Sequence, residues 1–373
     1  MCRCIGLRFR LPMLVLLVGC LLGSGALRAQ SIVYVDQNAT GPVHDGSSWC
    51  QAYLDLSEAI EAAADDSTIR VADGTYKPDP TGLEDPRDAT FSMRSRLRIE
   101  GGYAGCGALD PDVRNIELYE TILSGDLADD DTPPIESNCF EIHEGLWCDN
   151  AACEEIVCGI VPQCCEYQEP YFDWWGGWCL DVALTECCEQ YGHVCENSRH
   201  VVVAEETYAS AVLDGFTIVR GYARGAWLTP ESMGGGILVA EGNPRIFNCS
   251  VTDNMSLKQG GGIGVYYGSP RLSGCTMCEN QSLTNEGGGI GGYYSTLTLD
   301  GCVIKENESY YSGGGLYAIG GTAALTGCTI DNNQARSGAG LAFLSVDQIT
   351  IEDSTITGNT ATGFAGGMKI RYS

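Results

Sequence analysis

Residues 260–286 read GGGIGVYYGSPRLSGCTMCENQSLTNE, and residues 287–312 follow at once as GGGIGGYYSTLTLDGCVIKENESYYS, repeating the first stretch column by column. Outward from this pair, the small-residue triplet with its aliphatic returns as GGGI at Gly234, GGGL at Gly313, GAGL at Gly338 and AGGM at Ala365. The intervals are 26, 27, 26, 25 and 27 residues. A period this regular defines a repeat architecture before any short motif is considered.

Other columns keep step with the glycines. Leu213, Ile246, Leu272, Leu299, Leu325 and Ile351 form one; Phe216, Cys249, Cys275, Cys302, Cys328 and Ser354 lie three residues on. Ile218, Val251, Met277, Ile304, Ile330 and Ile356 follow, and Asn254, Asn280, Asn307, Asn333 and Asn359 close the units. Within a unit, apolar and polar residues alternate over short stretches separated by Gly-rich or Asn-centred turns, which is strand periodicity. Two or three short strands per unit cannot close a core alone and must stack on their neighbours. Successive coils then bring like residues about 4.8 Å apart in parallel sheets, so every column becomes a ladder. Aliphatic ladders fill the interior. The Asn ladder is expected at a bend, where its amides can bond along the stack and tolerate left-handed φ, with the glycines turning the other corner. No unit carries a leucine-rich LxxLxL pattern, and GGIGVY and GGIGGY place aromatics where a calcium-binding roll needs carboxylates.

With these columns the chain resembles the right-handed parallel β-helix repeat proteins of the pectin-lyase-like superfamily, especially the large secreted forms of environmental bacteria. The resemblance extends through YVDQNATGPVHDGSSWCQAYLDLSEAIEAAADDSTIRVADGTYKPD from Tyr34 to Asp79, LRIEGGYAGCG from Leu97 to Gly107, ETILSGDL from Glu120 to Leu127 and AVLDGFTIVRG from Ala211 to Gly221. It implies an all-β solenoid. Strands are expected at Ile32–Val35, Thr68–Val71 and Arg96–Glu100, and an amphipathic helix from Leu54 to Ala64 is expected to cap the N-terminal end of the core.

Arg3, Arg8 and Arg10 precede an apolar run from Leu11 to Leu22 and then small residues, so residues 1–30 read as an export signal too short to span a bilayer. Cleavage fits after Ala26 or Ala29. LVGC, Leu17 to Cys20, also fits a lipobox, in which Cys20 would carry a lipid anchor. The expected location is secreted or at the cell surface, with no transmembrane segment in the mature chain. Four of the 21 basic residues lie in 1–30, leaving 17 against 49 acidic ones and a net charge of −32. Nucleic acid and anionic membranes are poor partners for such a chain. Acidity of this kind serves a solvated surface; the local alternative is Ca²⁺ held by Asp126, Asp129, Asp130 and Asp131, provided several carboxylates converge. No other cofactor or metal is expected.

The 20 cysteines imply an oxidising compartment. Cys139, Cys148, Cys153, Cys158, Cys164, Cys165, Cys179, Cys187, Cys188 and Cys195 crowd one stretch with Trp147, Trp174, Trp175 and Trp178. That stretch reads as a disulfide-stapled module inserted between two coils, with boundaries at 136–198. It lacks a CxxC pair, which disfavours zinc. Its run from Cys148 to Cys188 resembles a small Cys-rich domain of secreted proteins, with a longer segment after Cys164 and Cys165 and an extra Trp pair; the domain implies no activity. The remaining domains are 31–135, the cap and first coils, and 199–373, the 26-residue repeats. The sixth unit stops at Arg371, Tyr372 and Ser373, so it is expected to lack a C-terminal cap and to need a partner or further chain at that edge. Cys249, Cys275, Cys302 and Cys328 are expected as buried free thiols, because ladder geometry rarely suits a disulfide. Cys278 falls outside that column, and the leftover count pairs Cys50 with Cys106.

Counting alternation from Ile263 and Ile290 puts Tyr266 and Tyr293 outward, one coil apart, either as a platform for a pyranose face or as a cross-strand aromatic pair. Asp253, Glu279 and Glu306 form a carboxylate ladder read as a solvated turn. Arg245 and Arg271 share a column after a common Pro. The polygalacturonase strings NTD, DD, GHG and RIK that the resemblance would imply do not appear at matching positions, and the four His are scattered. The leading expectation is an exported, non-enzymatic scaffold that contacts polysaccharide or cell-envelope components. Its rivals are a polysaccharide lyase or glycoside hydrolase of the pectin-lyase-like type, and a structural segment of a larger envelope protein.

Overall fold

A computed structural model describes residues 31–129, 143–144, 151–161, 174–175, 179, 182–183, 196–225 and 229–372. The signal segment, Cys20 and much of the Cys-rich stretch lie outside them.

From Val212 on, each coil contributes four strands, one more than the alternation pattern suggests, because a strand of two to five residues follows every ladder asparagine. The first sheet runs Ile32–Val35, Thr68–Ala72, Arg98–Tyr103, Val212–Asp214, Arg245–Phe247, Arg271–Ser273, Thr296–Asp300, Thr322–Thr326 and Gln348–Glu352. The second holds Gly74–Tyr76 and Thr121–Ser124, then the repeat strands from Thr217–Val219 to Thr355–Thr357. The third is the short one, from Tyr222–Ala223 to Thr360–Phe364. The fourth runs from Phe91–Ser92 through Ile263–Tyr266 and Ile290–Tyr293 to Met368–Arg371. All four are parallel, and their registers pair the columns in sequence order: Ile246 with Leu272 and Leu272 with Leu299, Val251 with Met277, and Ile263 with Ile290.

One continuous core results. Leu213, Ile246, Leu272, Leu299 and Leu325 are buried inside the first sheet, facing Ile218, Val251, Met277, Ile304 and Ile330 of the second. Each such side chain contributes about 1.5–3 kcal/mol by leaving water. The N-terminal end is covered by the helix Leu56–Ala62, which starts with Asp55 accepting from the Glu58 N–H at 3.0 Å and buries Leu56, Ala59 and Ile60. Leu54 is exposed and lies outside this helix, which is shorter than the sequence suggests.

Two corners explain the polar columns. The first glycine of each triplet is left-handed, with φ between 56 and 72° from Gly234 to Gly338. At the other bend the left-handed residues are Asp253, Glu279, Glu306, Asn332 and Gly358, one position before the Asn ladder. The Asn residues themselves have ordinary φ, because their role is carried by the side-chain amide. Asn280 Nδ2 donates to Val251 O at 2.8 Å and to Asn307 Oδ1 at 3.0 Å, and Asn254, Asn307 and Asn333 repeat the pattern. Asn254, Asn280, Asn307 and Asn333 are buried, so these bonds satisfy amides that water cannot reach.

The Cys-rich stretch leaves the solenoid inside a coil, in place of a third-sheet strand, and not between two coils. The Ser198 N–H donates to Gly125 O at 2.8 Å and the Tyr222 N–H to Ser198 O at 2.8 Å, so Ser198 rejoins the stack beside the residue where the chain departed. No helix among the described residues is long and apolar enough to cross a membrane.

Candidate functional site

Among the described residues, the outer face of the fourth sheet gathers the one aromatic cluster on the repeat surface that spans two coils. Ala240, Tyr266, Tyr293, Ile319 and Leu344 pair in register at its C-terminal end. Tyr266 and Tyr293 point outward as the alternation requires, yet neither is fully exposed. The turn ahead of each Gly triplet folds back over the sheet, and both rings pack against Met233, Leu238 and Ala240. Their centroids are 5.5 Å apart with planes inclined by 6°. Coplanar rings would collide at that separation, so the pair overlaps face to face with an offset. Part of each face is therefore spent on the other ring.

The more accessible rings are their chain neighbours. Tyr267 and Tyr294 are 50% and 52% exposed and stack on each other at 5.8 Å and 13°. Both sit at left-handed φ, 50° and 45°. That conformation costs a bulky residue on the order of 1–2 kcal/mol. At this corner strict alternation fails, because a positive φ turns the side chain out of the strand pattern. Tyr266 meets Tyr267 edge-on at 4.8 Å, and Tyr293 meets Tyr294 likewise at 4.9 Å. On the next coil the column has Gly320, where a Cβ would lie 2.6 Å from the Tyr294 ring; glycine there leaves room for the aromatic.

Carboxylates elsewhere are mostly engaged. Asp126, buried, pairs with Arg220 at 2.8 Å and lies 4.0 Å from Lys77, which also pairs with Asp129 at 2.5 Å. Two cations therefore already neutralise the described part of the proposed Ca²⁺ cluster; Asp130 and Asp131 lie outside the described residues. Asp214 is held by Arg98 at 2.7 Å and Arg114 at 3.0 Å, with Asn248 donating at 2.9 Å. Its chain neighbour Gly215 and its partner Asn248 line a cleft of about 260 Å³ with Phe216, Thr276 and one carboxylate, Glu117. Asp253, Glu279 and Glu306 follow one another at left-handed corners, with the Asp253 side chain exposed and 4.0 Å from Arg220. Cys278, Glu279 and Glu306 bring ligand atoms within 4.8 Å of one another, with Lys305 Nζ 3.1 Å from Glu306 Oε2. Arg245 and Arg271 are in register on the exposed side of the first sheet.

One carboxyl is not legible from sequence. Burial pushes Glu286 up to about 7. Its Oε2 accepts from Gln259 Nε2 at 3.4 Å, while Gln259 Oε1 is buried without a hydrogen-bond partner among the described residues. Acid and base catalysis on a glycosidic bond uses two carboxyl groups flanking it. Among the described residues Glu286 has no second carboxyl bonded to it.

The cysteines divide in two. Cys249, Cys275, Cys302 and Cys328 are free and buried in a single column, and Cys278 is free and half-buried. Cys50 and Cys106 are bridged, and Cys153, Cys158 and Cys179 are disulfide-bonded. Cys139, Cys148, Cys164, Cys165, Cys187, Cys188 and Cys195 lie outside the described residues.

The sequence profile of the right handed beta helix region family matches residues 188–335 and 228–371, the span in which the four parallel sheets are built from successive repeats. The chain is a right-handed parallel β-helix protein. No curated protein and no solved structure matches it. The β-helix thus fixes the architecture, and its chemistry rests on the side chains described above.

Proposed function

We propose that this β-helix is an exported, non-enzymatic scaffold whose outer surface contacts polysaccharide or cell-envelope components. The observation that carries the proposal is the four-tyrosine cluster on the fourth sheet. Tyr267 and Tyr294 offer half-exposed faces and hydroxyls on a backbone locked by the solenoid, supported from behind by Tyr266 and Tyr293. Aromatic rings of this kind bury the apolar face of a sugar while their hydroxyls bond its edge. Export is supported by the apolar N-terminal run after three arginines and by the disulfides.

The test is retention on a panel of acidic and neutral insoluble polysaccharides, comparing the native chain with variants carrying Tyr267→Ala with Tyr294→Ala, and Tyr266→Ala with Tyr293→Ala. Loss of retention is expected in both; unchanged retention would remove the platform. Glu286, with its near-neutral carboxyl, favours a second reading as a lyase or hydrolase. Incubation with the same panel separates the two, because release of unsaturated or reducing ends that disappears in Glu286→Gln would replace the scaffold reading.

A further inference from the structure

Tyr267 and Tyr294 stand at equivalent corners of successive coils, and the way they face each other has chemical consequences apart from ligand contact. Their rings are stacked at 5.8 Å and 13°, and both are about half exposed, at 50% and 52%. Removing an electron and a proton from a phenol leaves a radical with spin density on the carbons ortho to oxygen, in orbitals perpendicular to the ring. Two such radicals join through those lobes. Face-to-face rings are therefore aligned for carbon–carbon coupling, and edge-on rings are not.

We infer that Tyr267 and Tyr294 form a site of oxidative cross-linking, at which a haem peroxidase using hydrogen peroxide couples the two rings ortho to their hydroxyls. Each phenol gives up its O–H hydrogen; the two radicals form one C–C bond; each ring then shifts the hydrogen from its coupled carbon to oxygen and regains aromaticity. In sum, two C–H bonds break, one C–C bond forms, and the two hydrogens reduce hydrogen peroxide to two molecules of water.

The surroundings single out this pair. Tyr310 and Tyr311 touch at 4.5 Å but edge-on, at 80°. Tyr208 and Tyr372 are more exposed, at 70% and 73%, and have no stacked ring among the described residues. Tyr266 and Tyr293 are stacked but pack against Met233, Leu238 and Ala240, behind the outer pair. The Tyr267 ring also meets Tyr293 edge-on at 5.5 Å, so the outer pair is braced by the inner one. The αL corners hold Tyr267 and Tyr294 at fixed backbone positions, and neighbouring coils hydrogen-bond directly there, Tyr267 N–H to Tyr293 O at 3.0 Å. The product would be a covalent bridge between adjacent coils, and it does not depend on whether the cluster binds a glycan.

The experiment treats the dilute full chain with a haem peroxidase and hydrogen peroxide, isolates the monomer, and maps tryptic peptides by mass spectrometry alongside dityrosine fluorescence. Expected is a linked pair ending at Arg271 and at Lys305, lacking two hydrogen atoms, with fragmentation placing the link on Tyr267 and Tyr294. Tyr267→Phe and, separately, Tyr294→Phe keep the ring packing and are expected to abolish that pair, whereas Tyr310→Phe leaves it intact. The inference is overturned if oxidation of Tyr208 or Tyr372 shows that the oxidant reached the chain while the linked pair is absent, or if the pair persists in either Phe variant.

Discussion

Asn280 Nδ2 lies 3.0 Å from Asn307 Oδ1 on the next coil, while Asn280 Oδ1 accepts from Asn254 Nδ2 at 3.1 Å and the Asn254 N–H at 3.2 Å on the coil before. A single amide thus joins three coils. Asn280→Ala removes both donors and the acceptor at once and leaves buried partners unsatisfied, so a loss of about 3 kcal/mol or more is expected in chemical denaturation. Asn280→Asp is expected to cost more at neutral pH, because a carboxylate oxygen would face Val251 O, the acceptor now 2.8 Å from Nδ2.

The ladder thiols should be silent in the folded protein. Burial pushes Cys249 up to about 12, and hydrogen bonding with Cys275 does the same for Cys302. Thiolate is the reactive form, so native labelling at mildly alkaline pH should modify Cys278 first among the described free cysteines. Cys249, Cys275, Cys302 and Cys328 should react only on unfolding. Peptide mapping after timed alkylation checks the order, and fast labelling of a ladder cysteine would contradict the buried column.

His200 predicts a decline in stability in acid. It is buried, its Nδ1 donates to Gly234 O at 2.9 Å, and burial holds its pKa down at about 4, with Arg199 acting in the same direction. The folded state refuses a proton that the unfolded chain binds near 6.5, so this contribution is complete above 6.5 and is lost as pH falls toward 4. Thermal unfolding followed from pH 7 to pH 4 should show a decline that is smaller in His200→Gln; an equal decline would place its cause elsewhere.

Cys50 and Cys106 are 56 residues apart in sequence, and the bridge ties the N-terminal segment to the loop after Arg98–Tyr103. Closing a loop of that length restricts the unfolded chain by about 4 kcal/mol in the chain-entropy model. Cys50→Ala with Cys106→Ala should lower the denaturation midpoint accordingly, with the helix Leu56–Ala62 losing amide protection first in hydrogen exchange.

Where a ladder repeats, sequence reading reached side-chain level. The inward Ile263 and Ile290, the buried Cys column and the outward Tyr266 and Tyr293 all follow from counting by two along extended backbone. Counting failed where φ changes sign. Tyr267 and Tyr294 turn out to be the exposed rings because each occupies a left-handed corner, and the left-handed bend residues precede the Asn ladder because the amide bonds position the asparagine and the turn falls to its neighbour. Glu286 was invisible for a different reason. Its environment is made by Gln259 and Tyr317, which belong to the coils before and after it and come near only when the turn folds back on the outer face. The insertion point was blurred for want of any period in the segment that departs at Gly125.

The uniform register has a consequence for how such a chain changes length. Because Ile263 stacks on Ile237 and beneath Ile290 with no offset, a gene can gain or lose one whole unit, such as residues 260–286, and leave every remaining column matched. A gain or loss of half a unit would set polar columns over apolar ones in every later coil. Length in this architecture changes in steps of one turn, about 4.8 Å each, so copies of different reach can arise by gain or loss of whole repeats without a new fold being needed.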